Sequence, residues 1–173
     1  MRAEQEADFR RYVAARSDRL RRYAYLCCGD WHRAEDAVQT AFIKLYGVWS
    51  KTSAESCDRY VRRIVTNIII DEHRRAWFRR ERSSPALPER AVADPTDQSV
   101  ETIIIILAAL AQLPQRQRAV VLLRYWEDLS IEQVSEILRC STGNVKSQST
   151  RGLRTLRALL TESTPEQAIG ASS

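Results

Sequence analysis

Residues 130–156 read SIEQVSEILRCSTGNVKSQSTRGLRTL, and this stretch decides the fold class. Ser130 followed three residues later by Gln133 forms a capping box, in which each side chain satisfies the other residue's free backbone N–H. Ile131, Val134, Ile137 and Leu138 then share one helical face. A four-residue break, Arg139–Thr142, precedes a second helix from about Gly143 to Leu160, with Val145, Ser149, Leu153, Leu156 and Leu160 on its stripe. Two helices across a tight break make a helix-turn-helix pattern. Asn144, Lys146, Ser147, Gln148, Thr150, Arg151 and Arg154 are left facing outward. That set suits a groove reader, since Asn144 and Gln148 can pair with adenine and Arg151 with guanine, while Lys146 and Arg154 reach phosphates or bases. By spacing alone, an ordinary solvated face reads the same way.

Toward the N-terminus the helical pattern continues. Ile103–Leu113 is an apolar helix, and Pro114 opens another that runs to about Trp126. Ser83–Ser99 has three prolines and no aromatic residue, so it reads as a flexible linker. Three further helices precede it. The first, about Asp8–Cys28, can be capped by Gly29, and Asp30 N-caps the second. On that second helix Ala34, Val38, Ala41, Phe42, Leu45, Tyr46 and Trp49 recur at three- and four-residue steps. A polar loop, Ser50–Cys57, leads to the third helix, about Asp58–Arg82. The expected fold is all-α, with two small helical domains (1–82 and 101–160), a linker (83–100) and a disordered tail (161–173).

Composition narrows the function. The 173 residues are 44% hydrophobic, which excludes wholesale disorder, and five Gly and five Pro are too few for an all-β chain. The longest apolar run, Ile103–Ala111, is about half of a membrane span, and no apolar leader opens the chain, so a soluble cytoplasmic protein is expected. Cys27, Cys28, Cys57 and Cys140 form no C-x-x-C, and His32 and His73 lie at no ligand spacing from them. No metal or cofactor is expected, and the cysteines read as small thiols in a reducing compartment.

The net charge of +5 is uneven, because residues 1–80 hold 17 Lys and Arg against 11 Asp and Glu. Much of the excess lies on the third helix, where Arg62, Arg63, Arg74, Arg75, Arg79, Arg80 and Arg82 alternate with Tyr60, Trp77 and Phe78. Arginine beside aromatic rings can hold a phosphate backbone while stacking unpaired bases.

The residues that carry a family likeness are now in view. EDAVQTAF (35–42) and YVRRIVTN (60–67) resemble the sigma-2 domain of the extracytoplasmic-function sigma factors of bacterial RNA polymerase. LPQRQR (113–118), RYWEDLS (124–130) and CSTGNVKS (140–147) resemble the matching sigma-4 domain. The likeness covers residues 8–160 in order, and looks most like the SigE-like actinobacterial group. It implies a factor without catalysis of its own, working as one copy with core polymerase on promoter DNA. It implies that Asp36, Gln39, Thr40, Phe42 and Ile43 dock on the β′ coiled coil, with the sigma-4 domain on the β flap. Tyr60, Arg62, Arg63, Asn67, Arg74 and Arg75, with the 50–57 loop, are then expected to read and open the −10 element, which requires extruding a base. Asn144, Lys146, Ser147, Gln148, Thr150, Arg151 and Arg154 are expected to read the −35 element. An anti-sigma factor is compatible with this reading as a further partner.

The sequence departs from the family pattern at several positions. Thr40 stands where an acidic residue is usual, Ala41 where Thr is, Gln148 and Lys146 where Arg is frequent, Tyr60 where Trp is, and Arg139 where Gly is. A stand-alone helix-turn-helix repressor is the competing reading. It requires a homodimer on a palindrome and leaves the 35–42 face and the Arg/aromatic helix without roles. An enzyme is the third. His32-Arg33-Ala34-Glu35 and Asp71-Glu72-His73 match no catalytic motif, and read as solvated side chains.

Overall fold

The computed structural model describes residues 3–80 and 98–163. Seven α-helices follow in order: α1 (Ala3–Cys28), α2 (Trp31–Tyr46), α3 (Ala54–Arg80), α4 (Gln98–Gln112), α5 (Gln115–Val121), α6 (Ile131–Leu138) and α7 (Thr142–Ser163). A 3-10 turn, Trp49–Lys51, precedes α3, and a π turn, Leu122–Trp126, prolongs α5. No strand occurs among the described residues. Residues 83–97 of the expected linker and most of the expected tail lie outside them, as do Glu81 and Arg82 of the expected third helix, while residues 98–100 of that linker are helical and open α4.

Local chemistry sets the helix ends. Gly29, at φ +70°, ends α1 in the left-handed region, where its N–H donates to the Tyr25 carbonyl at 2.7 Å. Asp30 Oδ1 then accepts from the Arg33 N–H at 3.0 Å and starts α2. At α6 the box is complete: Gln133 N–H donates to Ser130 Oγ at 3.1 Å, and Ser130 N–H to Gln133 Oε1 at 2.8 Å. Several boundaries differ from the sequence reading. α1 begins at Ala3 and α4 at Gln98, each five residues before the first residue expected, α3 begins at Ala54 inside the expected 50–57 loop, α2 ends at Tyr46 with Trp49 in the following 3-10 turn, and α7 runs to Ser163. The extra turns of α1, α3, α4 and α7 carry mostly helix-compatible polar residues that no apolar stripe marks.

α6 ends on Arg139, whose backbone is left-handed at φ 51° and ψ 52°. The missing glycine therefore costs stability, because a side chain there crowds the following carbonyl. Arg139→Gly is expected to stabilise the chain by about 1 kcal/mol and raise the melting temperature by roughly 2–4 °C. A thermal melt followed by circular dichroism measures it, and a lower midpoint would contradict it. Asp128, at φ 54°, is a second left-handed residue that the sequence did not disclose.

The N-terminal block packs α1, α2 and α3 around Leu20, Tyr23, Val38, Leu45, Val61, Val65 and Ile69. Tyr23 is fully buried, and its hydroxyl shares a 2.7 Å hydrogen bond with Thr66 Oγ1. That bond removes the penalty of an unpaired buried hydroxyl. In the C-terminal block α7 lies across α5, and Gly152 allows the close approach. A methyl group built there would meet Val121 Cγ2 at 2.6 Å.

The two blocks do not stand apart. α1 touches α4 and α5, α3 touches α5 and α6, and a single buried cluster includes residues of both blocks. Gln115 Nε2 and Arg118 Nη1 both donate to the Cys27 carbonyl, at 2.8 and 2.7 Å, satisfying an acceptor at the end of α1. Arg118 Nη2 also reaches the Ala111 and Leu113 carbonyls near the end of α4. One buried guanidinium thus ties two helix C-termini together.

Candidate nucleic-acid interface

α7 presents the expected groove-reading residues with one exception. Asn144, Lys146, Ser147, Thr150, Arg151 and Arg154 are exposed, while Val145, Ser149 and Gly152 are buried against the block. Ser141 Oγ accepts from the Asn144 N–H at 3.0 Å, which fixes the start of the helix. Gln148 departs from the outward set: it is half-buried, and its Oε1 is enclosed without a hydrogen-bond partner. The reason is angular. Position 148 lies next to Ser149 and one turn from Val145, at the margin where neighbouring helices begin to cover α7. Thr150 directs its hydroxyl back to the Lys146 carbonyl at 3.0 Å.

On α3, Arg74 and Arg75 are exposed, and Tyr60, Arg62, Arg63 and Asn67 are half-buried. Arg74 stands 3.7 Å from Asp71, a separation that leaves it largely solvated. Arg62 is enclosed by the fold. Its Nε donates to Glu127 Oε2 at 2.7 Å, and its side chain is only 15% exposed. Glu127 in turn takes Arg19 Nε on Oε1 at 3.0 Å and is itself 1% exposed. A carboxylate from the RYWEDLS run therefore clamps α1 and α3 at once. Arg59 and Glu136 form a second, exposed ion pair between the blocks. Beside them lies a cavity of about 140 Å³, walled by Glu55, Asp58, Arg59 and Arg62 on one side and by Leu129, Gln133 and Ile137 on the other.

On α2, Asp36, Gln39 and Ile43 are exposed and Thr40 is half-buried. Ile43 is 74% exposed, the most accessible large apolar side chain among the described residues. Phe42 does not belong with that set. It is buried in the core, edge-on to Tyr12 at 6.4 Å, because it sits on the same helical stripe as Val38 and Leu45.

Burial pushes the Cys27 thiol up to about 12 and raises Cys28 and Cys57 as well. These thiols are poor nucleophiles at neutral pH. No group of His, Cys, Asp and Glu side chains among the described residues could hold a metal ion.

Exposed basic residues of α3 and of α7 thus stand on separate blocks of one chain. Residues 12–79 match the family model described as Sigma-70 region 2, and residues 103–156 the model described as Sigma-70, region 4. The RNA polymerase sigma-E factor of Streptomyces avermitilis is 35% identical over 155 residues, covering 87% of this chain and 83% of that one. The ECF RNA polymerase sigma factor SigE of Mycolicibacterium smegmatis is 32% identical over 164 residues, 92% of this chain and 64% of that one. The chain belongs to the extracytoplasmic-function sigma factors. This sigma factor binds core RNA polymerase and directs transcription initiation at promoters, through one sigma-2 and one sigma-4 region. Its fold is shared with the sigma factor RpoE of Bartonella quintana, solved with the anti-sigma factor NepR. That match has a TM-score of 0.74 and 22% identity, over 91% of this chain and 99% of that one. No helix among the described residues is long and apolar enough to cross a membrane.

Proposed function

We propose that this sigma factor divides its work as two readers on one dock. Residues 1–82 form the sigma-2 unit and 101–160 the sigma-4 unit. The exposed face of α2, with Asp36, Gln39, Thr40 and Ile43, docks on the β′ coiled coil of core polymerase, and the sigma-4 unit meets the β flap. Arg63, Asn67, Arg74 and Arg75 on α3, with Tyr60 and Arg62 at its base, read and open the −10 element. Asn144, Lys146, Ser147, Arg151 and Arg154 on α7 read the −35 element, with Gln148 and Thr150 at its edge. The chain acts in the cytoplasm and performs no catalysis, which core polymerase supplies. The sigma factor RpoE of the same fold was solved with an anti-sigma factor bound, and that partner class belongs to this reading.

The observation that carries the proposal is the pairing of two outward basic helices, α3 and α7, on one chain with an independent exposed face on α2. A homodimeric repressor needs only α7. Run-off transcription on the protein's own upstream region, with core polymerase and with or without the chain, tests it. A discrete transcript that depends on the chain is expected. Failure to bind core polymerase would restore the repressor reading.

Within that scheme, Lys146→Ala or Arg151→Ala is expected to weaken binding to the −35 element by about 1–3 kcal/mol. Electrophoretic mobility shifts on the mapped promoter and on scrambled DNA measure it. Equal losses on both would reassign these side chains to phosphates.

A further inference from the structure

α3 is longer than the block it belongs to. Its last buried residue is Ile69, and from Ile70 to Arg79 no side chain is buried. Ile70 still packs against the core and Glu72 accepts from Arg33 of α2 at 3.3 Å, so at 1.5 Å per residue the helix runs on for about 10 Å past its last contact with α2. Near the tip sit Trp77, 57% exposed, and Phe78, 64% exposed, in edge-to-face contact at 5.5 Å between ring centres. Three exposed arginines lie near them: Arg74 falls between the two rings in angle, and Arg75 and Arg79 fall beyond Phe78, toward the side of the buried stripe. Two large rings held in water at the end of an overhanging helix gain nothing for the fold.

Their angular position connects them to the −10 face. With steps of 100° per residue, Arg63, Asn67, Arg74 and Phe78 fall within one sector of about 60°, opposite the buried stripe, and Trp77 borders it. We infer that Trp77 and Phe78 are a stacking contact for the promoter strand that flanks the −10 element. The inference rests on the −10 reading of α3 proposed above. DNA is the occupant the charge selects, because among the described residues the rings stand near Arg74, Arg75 and Arg79 with Asp71 as the one acidic neighbour on that face. A base offers an aromatic π-face, and the flanking arginines take the adjoining phosphates. From Asn67 to the rings is about 15 Å along the helix, which corresponds to roughly 4–5 nucleotides at 3.4 Å per step. The contact is therefore outside the base captured beside Asn67.

The test uses the full chain assembled with core polymerase, on forked DNA carrying the promoter mapped by run-off transcription. 2-Aminopurine is placed singly at each of six positions on either side of the −10 element. The wild-type holoenzyme is expected to change the fluorescence at a position roughly 4–5 nucleotides from the base that Asn67 contacts. The double variant Trp77→Leu with Phe78→Leu keeps apolar bulk on the same exposed surface but has no π-face. It is expected to lose that signal and to bind the fork on the order of 10-fold more weakly, with core affinity unchanged. Trp77→Phe with Phe78→Tyr is expected to retain both. Unchanged fork binding and fluorescence in the leucine variant would overturn the inference. So would loss of core affinity, which assigns the rings to polymerase, or a wild-type dimer that the leucine variant abolishes. Asn67→Ala separates the two readings. If it alone weakens fork binding, the −10 reading stands and the aromatic contact falls; if neither variant has an effect, the −10 reading of α3 falls with it.

Discussion

Glu127→Ala is expected to lower the stability of the folded chain by about 3 kcal/mol and to uncouple its two blocks. The carboxylate is buried and holds Arg62 at 2.7 Å and Arg19 at 3.0 Å. Removing one partner of a buried pair leaves an uncompensated charge, at a cost of about 3–5 kcal/mol. The lower end applies here, because Arg19 is 56% exposed and returns to water, whereas Arg62 at 15% does not. The remaining contacts between the blocks are the buried apolar cluster they share, the Cys27 carbonyl with Gln115 and Arg118, and the surface pair of Arg59 with Glu136. Urea unfolding followed by circular dichroism is expected to change from one transition to two, and small-angle scattering to report a larger radius of gyration. A single transition at the wild-type midpoint would show that apolar packing alone joins the blocks. A double-mutant cycle with Arg62→Ala isolates the pair itself, since the coupling energy remains after both single effects are subtracted.

Gly152→Val is expected to destabilise the C-terminal block by about 3 kcal/mol and to abolish recognition by α7. Alanine is the sharper case, because propensity and packing oppose one another. Inside a helix, Gly→Ala ordinarily gains about 1 kcal/mol. Here the added methyl meets Val121 Cγ2 at 2.6 Å. Val121 is buried on α5, and a β-branched side chain in a helix has essentially one rotamer, so it cannot swing aside. Overpacking of this kind costs about 1–3 kcal/mol, so the net change for Gly152→Ala is a loss. Valine adds two further methyl groups at the same crossing. Thermal melts of both variants measure the order wild type, alanine, valine. A gain in melting temperature for alanine would show that α5 and α7 separate readily. Gly152 faces the interior while Lys146 and Arg151 face out, so any loss of DNA binding here acts through the angle of α7.

What the sequence disclosed and what it withheld follow from the range of each interaction. The capping box at Ser130, the Asp30 cap and the Gly29 stop are contacts within four residues, and their chemistry is written in adjacent letters. The left-handed Arg139 was signalled only by the resemblance, in which Gly is usual at that turn position. The helical register placed the exposed sets on α2 and α7 correctly wherever a residue lay well inside its sector. It failed at Gln148, on the margin of the buried stripe, where coverage depends on how α7 crosses its neighbours. Phe42 belonged to both the core stripe and the docking motif, and packing assigned it to the core. Glu127 could not be read at all. Its partners lie 65 and 108 residues away along the chain, and nothing local marks an acidic residue in a polar run as buried. The closeness of the two blocks was hidden likewise, because amphipathic helices declare that they bury a face without naming the partner.

The hold of Glu127 on Arg62 has a thermodynamic consequence that runs in both directions. On the −10 reading proposed above, a phosphate that takes the Nε–H of Arg62 competes with a carboxylate already in place at 2.7 Å. Whatever free energy the block contact gains from Arg62 is therefore withheld from DNA. By reciprocity, DNA that captures Arg62 must weaken the grip of the C-terminal block by the same amount. Occupancy of one reader and attachment of the other are thus opposed, with a single guanidinium as the quantity exchanged between them.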